Sequence, residues 1–383
     1  MVCRFVRLAF GPCRMGLSSL SNVRAQVANS KAFSVCEKFM RWSRRWNTIM
    51  AVQFPDGATV RAALTLATRA PSVHNSQPWL WRVGPHSLHL YADRTLHLKH
   101  TDPDWRDFIL SCGAALDHCA VALAAMGWQA TIHRLPNPAE PDHLASITAH
   151  RHAAGATDIE LAAAITERRT DRRNFSSRSV ALSDIAWMGA RVARMGASLR
   201  RVETTTDFRA ILTQAMWQHA LDSDYADELT TWSGRHAAAD GVPARNTPES
   251  DPVAAVSSRV FAGSALDQPP HSPPEYDNGV LLALGTSTDN QISRLRAGEA
   301  TSSALLTATA RGLATCLVSE VLEVAETRKM LKLEIFDDRY CPQMLVRVGW
   351  SPADADPLPA TPRRPVSDRV THLDGAPLDG FDG

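Results

Sequence analysis

Two stretches rich in Ala and Gly, lying 185 residues apart, limit what this chain can fold into more than anything else in it. When residues 112–131 are set over residues 297–316, Gly113 meets Gly298, Ala115 meets Ala300, Ala125 meets Ala310 and Gly127 meets Gly312. Each stretch reads as a small-residue helix that stops at a glycine able to take a positive φ, then enters a strand. Helices with so little side chain pack backbone to backbone. Two readings fit the echo. It is either a chance likeness between two Ala-rich helices, or the trace of two copies of one fold fused in tandem, so that a single chain imitates a homodimer around a central seam.

The 383 residues, 44% apolar and 21% charged, suffice for two domains with cores of their own. A net charge of +1 gives no reason to expect a nucleic-acid or membrane partner. The charge is unevenly spread. Residues 1–49 hold nine Lys/Arg against one acid, Glu37, and so carry +8, which leaves −7 for the rest. That leader contains Cys3, Cys13, Cys36 and the cluster Arg41, Trp42, Arg44, Arg45, Trp46, with no apolar run of the length a signal peptide or spanning helix needs. It reads as an early start codon, a disordered basic arm, or a targeting or surface-binding tail. The other cysteines, Cys112, Cys119, Cys316 and Cys341, form no CxxC pair and are expected as free thiols in a reducing cytoplasm. None of the 14 His stands in an HExxH spacing, so no metal site is expected.

Apolar spacing predicts a helix over 56–69, capped by Asp56 and ended by Pro71. A β-hairpin follows over 79–83 and 87–91, around Gly84-Pro85. Next come the helix 108–127 and strands at 130–135 and 143–150. A second unit opens with helices at 159–169 and 183–195 and a strand at 198–203, and helical patterns run on from 207 to 231. From 236 to 278 seven prolines (243, 248, 252, 269, 270, 273 and 274) break any regular pattern. A stretch of that length in a compact domain is a functional lid or is disordered. Regular structure resumes with a strand at 279–286, a helix at 294–312 and a strand at 344–348. The expected division is a leader, 1–49; a first lobe, 50–155; a second lobe, 156–365, carrying the lid 236–278; and a tail, 366–383.

Two stretches carry chemistry. Residues 69–79 (RAPSVHNSQPW) place Ser72, Asn75 and Gln77 in a polar loop between a helix end and a strand start. Such neutral donors and acceptors suit the edge of a flat heteroaromatic ring, although a polar turn bonded to its own backbone would look the same. Residues 167–175 (ERRTDRRNF) set four Arg and a hydroxyl within six residues. That is a phosphate-binding composition, since Arg gives bidentate contacts, unless it is only a solvated basic patch. Arg363-Arg364 after the final strand can add to the same anion site.

These residues resemble the FMN-dependent nitroreductases. Residues 71–79 are similar to their PSxxNxQPW segment, closest to the Acg-like branch of mycobacteria and other actinobacteria. Residues 168–173 are similar to the RRSxR phosphate motif in the form RRTxRR, and residues 308–349 to the terminal helix, loop and strand. The resemblance covers about residues 55–365. It implies an α+β, nitroreductase-like fold of two tandem lobes imitating a homodimer, and one FMN per chain at their interface, because this chain has one loop of the first kind and one arginine motif. Ser72, Asn75 and Gln77 would contact the isoalloxazine ring, with Pro71 and Trp79 shaping the loop. Arg168, Thr170 and Arg172 would hold the phosphate and ribityl chain, helped by Arg169 and Arg364, and Ser319 would lie beside the flavin.

The implied function is an oxidoreductase that carries electrons from NAD(P)H through FMN to a small nitro or quinone acceptor. The flavin does the chemistry, and no catalytic side chain is required. The alternative is an FMN-sequestering, storage or redox-sensing protein whose lid hinders turnover. The branch's association with hypoxia and dormancy suits either role.

Overall fold

The computed structural model describes residues 54–235, 238–249, 259–268 and 277–378, all within one compact unit. The expectations for residues 1–49, with their three cysteines and basic cluster, lie outside the described residues. So do parts of the Pro-rich segment.

Helix α1 (Gly57–Ala67) starts where the Asp56 side chain accepts the Thr59 N–H at 2.8 Å, and it buries Val60, Ala63, Leu64 and Ala67 on one stripe. Strands β1 (Trp79–Val83) and β2 (Leu88–Ala92) form the expected hairpin. Then follow α2 (Arg106–Ala125), β3 (Trp128–Arg134) and β4 (His143–Arg151). Gly127 takes φ 81° just beyond α2, so the chain can turn from helix into strand. Helices α3 (Ala156–Glu167) and α4 (Leu182–Arg194) lead to β5 (Ser198–Val202). The long helical pattern then divides into α5 (Thr206–Ala220) and α6 (Ser223–Trp232), because the Asp222 side chain caps a new helix by accepting the Tyr225 N–H. The Pro-rich stretch contains β7 (Val242–Pro243), paired with β6 (Ser233–Arg235). The last part is β8 (Val280–Thr286), α7 (Gln291–Ala310), β9 (Ala314–Val318), the single turn α8 (Glu320–Glu323), α9 (Ala325–Phe336), β10 (Cys341–Gly349) and β11 (Val370–His372).

Two sheets result, in the orders β11-β1-β2-β4-β3 and β5-β8-β10-β9. With β11 set aside, each sheet reads first, second, fourth, third of its own strands, and in each a long buried helix links the second strand to the third. Those helices, α2 and α7, cross where the echo set one glycine over another. A Cβ on Gly298 would stand 2.0 Å from the Leu110 carbonyl oxygen, and one on Gly113 would stand 2.1 Å from that of Leu295. Only glycine permits the approach. Of the described helices, α2 alone is long and apolar enough to cross a membrane, and here it is the buried core of the molecule.

Polar groups also cross the seam. Ser302 Oγ donates to Asp117 Oδ2 at 2.6 Å and lies 2.9 Å from His118 Nδ1. Burial pushes the Asp117 carboxyl up to about 7 and the His118 ring down to about 3. Arg134 on β3 holds Glu299 on α7 through two hydrogen bonds of 2.7 Å. Of the four described cysteines, Cys112, Cys119 and Cys316 are buried free thiols, and Cys341 is half-buried.

The segment after residue 365, read from sequence as a tail, is part of the fold. It makes a short turn at Val366–Arg369 and then β11, which pairs in parallel with β1 (Trp81 with Val370, Val83 with His372). Arg369 is tied to Asp93 at 2.8 Å. The last described strand therefore lies beside the first.

Candidate functional site

The loop after α1 is held in a conformation that side chains disfavour. His74, Asn75 and Gln77 have φ of 44°, 56° and 55°, left-handed backbone that costs non-glycine residues about 1–3 kcal/mol each. Two hydroxyls hold it there. Ser72 Oγ accepts the Gln77 N–H at 3.0 Å, and Ser111 Oγ on α2 accepts the Val73 N–H at 3.1 Å.

This loop forms one wall of a cleft floored by α2, α7 and β9. Along α2 the floor is a single helical stripe, Asp107, Leu110, Ser111 and Ala114. His118 continues it one turn on. From Asp107 to His118 the helix advances roughly 16 Å, and the two ends differ chemically.

The His118 end is cationic. Helix α3 stops at Arg168, whose backbone turns out of the helix at ψ 127°, so the side chains after it diverge. Arg168 lines the cleft, is 7% exposed, and has neither Nε nor Nη1 hydrogen-bonded among the described residues. Burial, then the charges of Arg169, Arg69 and Arg172, pushes its guanidinium down to about 10. Arg363, also on the cleft, is pushed down to about 9 by burial and by Arg168, Arg69 and Arg169. Arg168 and Arg363 are each surrounded by other arginines, so positive charge accumulates here. Arg363 also donates to the Thr68, Arg69 and Ala70 carbonyls, which caps the end of α1.

The Asp107 end mixes signs. Asp107 is buried in ion-pair contact with Arg106. Arg259, from the Pro-rich segment, donates to Glu323 and Ser319 and lies 2.8 Å from His74 Nε2. Burial, reinforced by Arg259 and Arg172, holds the His74 ring well below its usual range and so neutral.

Described residues of the Pro-rich segment border the cleft. Val242, Pro243, Asn246, Arg259 and Phe261 line it. Asn75 Nδ2 donates to Gly241 O at 3.1 Å, Gln77 Nε2 to Ala239 O at 2.9 Å, and Arg172 Nη1 to Asn246 O at 3.2 Å. The Arg172 guanidinium also sits 4.8 Å from the centre of the Phe261 ring.

Of the residues singled out in the sequence, Ser72, Asn75, Arg168, Thr170, Arg172 and Ser319 converge on this one cleft. Gln77, Arg169 and Arg364 do not line it. Gln77 uses its amide on Asn75 O, Ala239 O and the Arg364 N–H. Arg169 folds back onto Thr166 O and Arg168 O, and Arg364 pairs with Asp240. Within the arginine motif, Arg173 is neutralised by Asp171 at 2.9 Å. Sequence reasoning named Arg363 only as one of the Arg363-Arg364 pair, and it passed over Asp107, His74, Arg259 and Glu323. Arg363 had a visible signal in the Arg363-Arg364 pair, but a dipeptide does not say which member faces inward. The others are single residues whose meeting is purely tertiary.

Known proteins resemble this chain over most of its length. The model of the family described as "Nitroreductase family" matches residues 270–350, which span β8, α7, β9 and β10. A Mycobacterium tuberculosis protein provisionally named NAD(P)H nitroreductase Rv3131 is 53% identical over 321 residues, covering 84% of this chain and 93% of its own. Another from the same organism, provisionally named NAD(P)H nitroreductase acg, is 36% identical over 325 residues, covering 82% and 95%. A solved Desulfitobacterium hafniense nitroreductase with bound FMN overlaps 56% of this chain and 98% of its own, at 14% identity and a TM-score of 0.36, too distant to carry an argument. On the strength of its sequence relatives, this chain belongs to the nitroreductase family, in the Acg-like branch, with that family's α+β fold.

Proposed function

We propose that the cleft binds one FMN per chain, and that the protein is a flavin-dependent oxidoreductase taking electrons from NAD(P)H to a small nitro or quinone acceptor. The observation that carries this reading is the buried Arg168, two of whose donors have no partner among the described residues, in a cluster with Arg69, Arg169, Arg172 and Arg363. An unpaired buried charge is unfavourable by several kcal/mol, and a phosphate monoester with a charge of about −1.5 to −2 would relieve it. Arg168, Arg172, Thr170 and Arg363 are the residues to hold that phosphate. Ser72, Asn75 and Ser319 lie along the walls where the ring would rest. When bound, FMN supplies the hydride and electron chemistry, and the chain binds it, orients it and excludes water. The shared strand order of the two sheets supports a single chain that imitates a homodimer.

The test is an absorbance spectrum after FMN soaking and gel filtration. Native protein should retain the flavin bands, and Arg168→Gln should weaken FMN binding by about 100-fold or more, as expected for a charge-assisted contact of roughly 3 kcal/mol. Native protein without flavin bands sinks the reading.

The contacts from the Pro-rich segment to Asn75, Gln77, Arg172 and His74 favour a second reading, an FMN-sequestering or redox-sensing protein with little turnover. Replacing residues 236–276 by a short Gly/Ser bridge separates the two. Anaerobic NAD(P)H bleaching that appears only without the segment supports sequestration; rapid bleaching of the native protein supports the enzyme.

A further inference from the structure

We infer that Asp107 is a catalytic proton donor, giving the bound electron acceptor the proton that must accompany its two-electron reduction. The inference rests on the oxidoreductase reading of the cleft. Asp107 stands in the first turn of α2, lines the cleft and is 3% exposed. Neither of its carboxyl oxygens has a hydrogen-bond partner among the described residues, although Arg106 is in ion-pair contact with one of them. The other nearby carboxyls are committed or more open. Asp102 accepts the Asp107 and Phe108 N–H groups, Glu323 accepts from Arg259 and Ser319, and Glu320 is only half-buried.

Every element packed around Asp107 bears on its charge. Burial comes first and raises its pKa to about 6. Arg106 on its own helix opposes this, Glu323 of α8 adds to it, Arg259 of the Pro-rich segment opposes it, and Asp104 in the preceding loop adds to it. Asp102, just before α2, is itself raised by burial and by Asp107. A carboxyl in that range is matched to proton transfer near neutrality.

The step balances as follows. A quinone that receives a hydride equivalent from the reduced flavin gains two electrons and one proton. Asp107 supplies the second proton to the carbonyl oxygen; its O–H bond breaks as the new O–H bond forms, and a hydroquinone results. The carboxylate left behind faces Arg106 and Arg259 and is reprotonated by water at the cleft mouth.

The experiment mixes dithionite-reduced, FMN-loaded full chain with benzoquinone under anaerobic conditions across pH 5–9. The native rate should fall above about pH 6. Asp107→Asn should keep FMN affinity within about two-fold, lose pH dependence and reoxidise about 100-fold more slowly. Asp107→Glu should keep a pH-dependent rate with a displaced midpoint, which covers the case in which the Asn variant fails to fold. As a readout independent of turnover, the flavin-free native chain should show a protonated-carboxyl infrared band titrating near pH 6 that Asp107→Asn removes. An Asn variant with the native rate and profile, a Glu variant with an unmoved midpoint, or an unchanged infrared band overturns this inference alone. Native protein that binds FMN but never reoxidises overturns it in favour of sequestration. Native protein that binds no FMN overturns the cofactor reading as well.

Discussion

Between β1 and β2 of the five-stranded sheet the chain turns through residues 84–87; between β5 and β8, the corresponding strands of the four-stranded sheet, it runs through residues 203–279. The tight turn needs only Gly84 and Pro85. The long connection carries α5, α6 and the segment whose described residues border the cleft. The cations divide in the same way. The helix that opens the second half is followed by Arg168-Arg169, while α1 is followed by Thr68-Arg69, with Arg363 bonded to the carbonyls just past its end. Two halves with one strand order thus differ in what they bring to the cleft: one has the strained loop, the other Arg168, Arg172 and the Pro-rich segment. The halves differ in their connections and are alike at the seam.

The hardest test of that comparison is the seam itself. Gly298→Ala places a methyl group 2.0 Å from a carbonyl oxygen of the opposing helix, so we expect a loss of more than about 4 kcal/mol or no folded protein. Gly189→Ala, with nothing within 4 Å, should be neutral or slightly stabilising in the same thermal melts. A chain that tolerates both equally would show that α2 and α7 need not touch.

Next in size is Asp117, the carboxyl that crosses the seam to Ser302. Its folded-state pKa is raised to about 7 from an ordinary 3.8. The stability it contributes is therefore fully present below about pH 4 and is lost as pH rises through about 7. At most about 4 kcal/mol follows from a shift of that size. Asp117→Asn should flatten denaturant-measured stability across that window; an unaltered pH profile would remove Asp117 from the seam's energetics.

Deleting residues 370–383 makes the five-stranded sheet resemble the four-stranded one. Loss of β11 and its pairing with β1 should reduce stability by about 1–2 kcal/mol, and unfolding curves at two temperatures would read it. The smallest effect is expected at Arg169, which folds back onto its own helix. Arg169→Ala should change FMN affinity less than about three-fold, measured by fluorescence quenching. A loss equal to that of Arg168→Gln would mean that the two arginines share the anion.

Much of this architecture was legible in the chain. Small residues at 113 and 298 announced a close crossing because no other composition permits one, and Asp56, Pro71, Gly127 and Gly312 marked their turns through simple backbone rules. Ser72, Asn75, Arg168, Thr170 and Arg172 were singled out by residue type and by resemblance, and they line one cleft. Direction was harder to read. Nothing in RRTDRR tells that Arg168 faces inward while Arg173 folds onto Asp171, since that depends on how the chain leaves α3. Strand β9 was expected from the echo alone, β11 is too short to show a period, and α9 was read only as loop by resemblance. Asp107 and Arg259 lie far apart in sequence and become neighbours only through the packing of a segment with no pattern of its own.

The return of the chain to its starting sheet has a consequence for synthesis. Arg363 and Val370–His372 leave the ribosome after every other part of the cleft, yet one caps α1 and the others border β1. The earliest-made strands therefore wait, with one edge open, for the last-made residues. Completion of the cleft becomes a late event in the life of each molecule, and any chain cut short before residue 363 would present the loop, the arginines and no finished pocket.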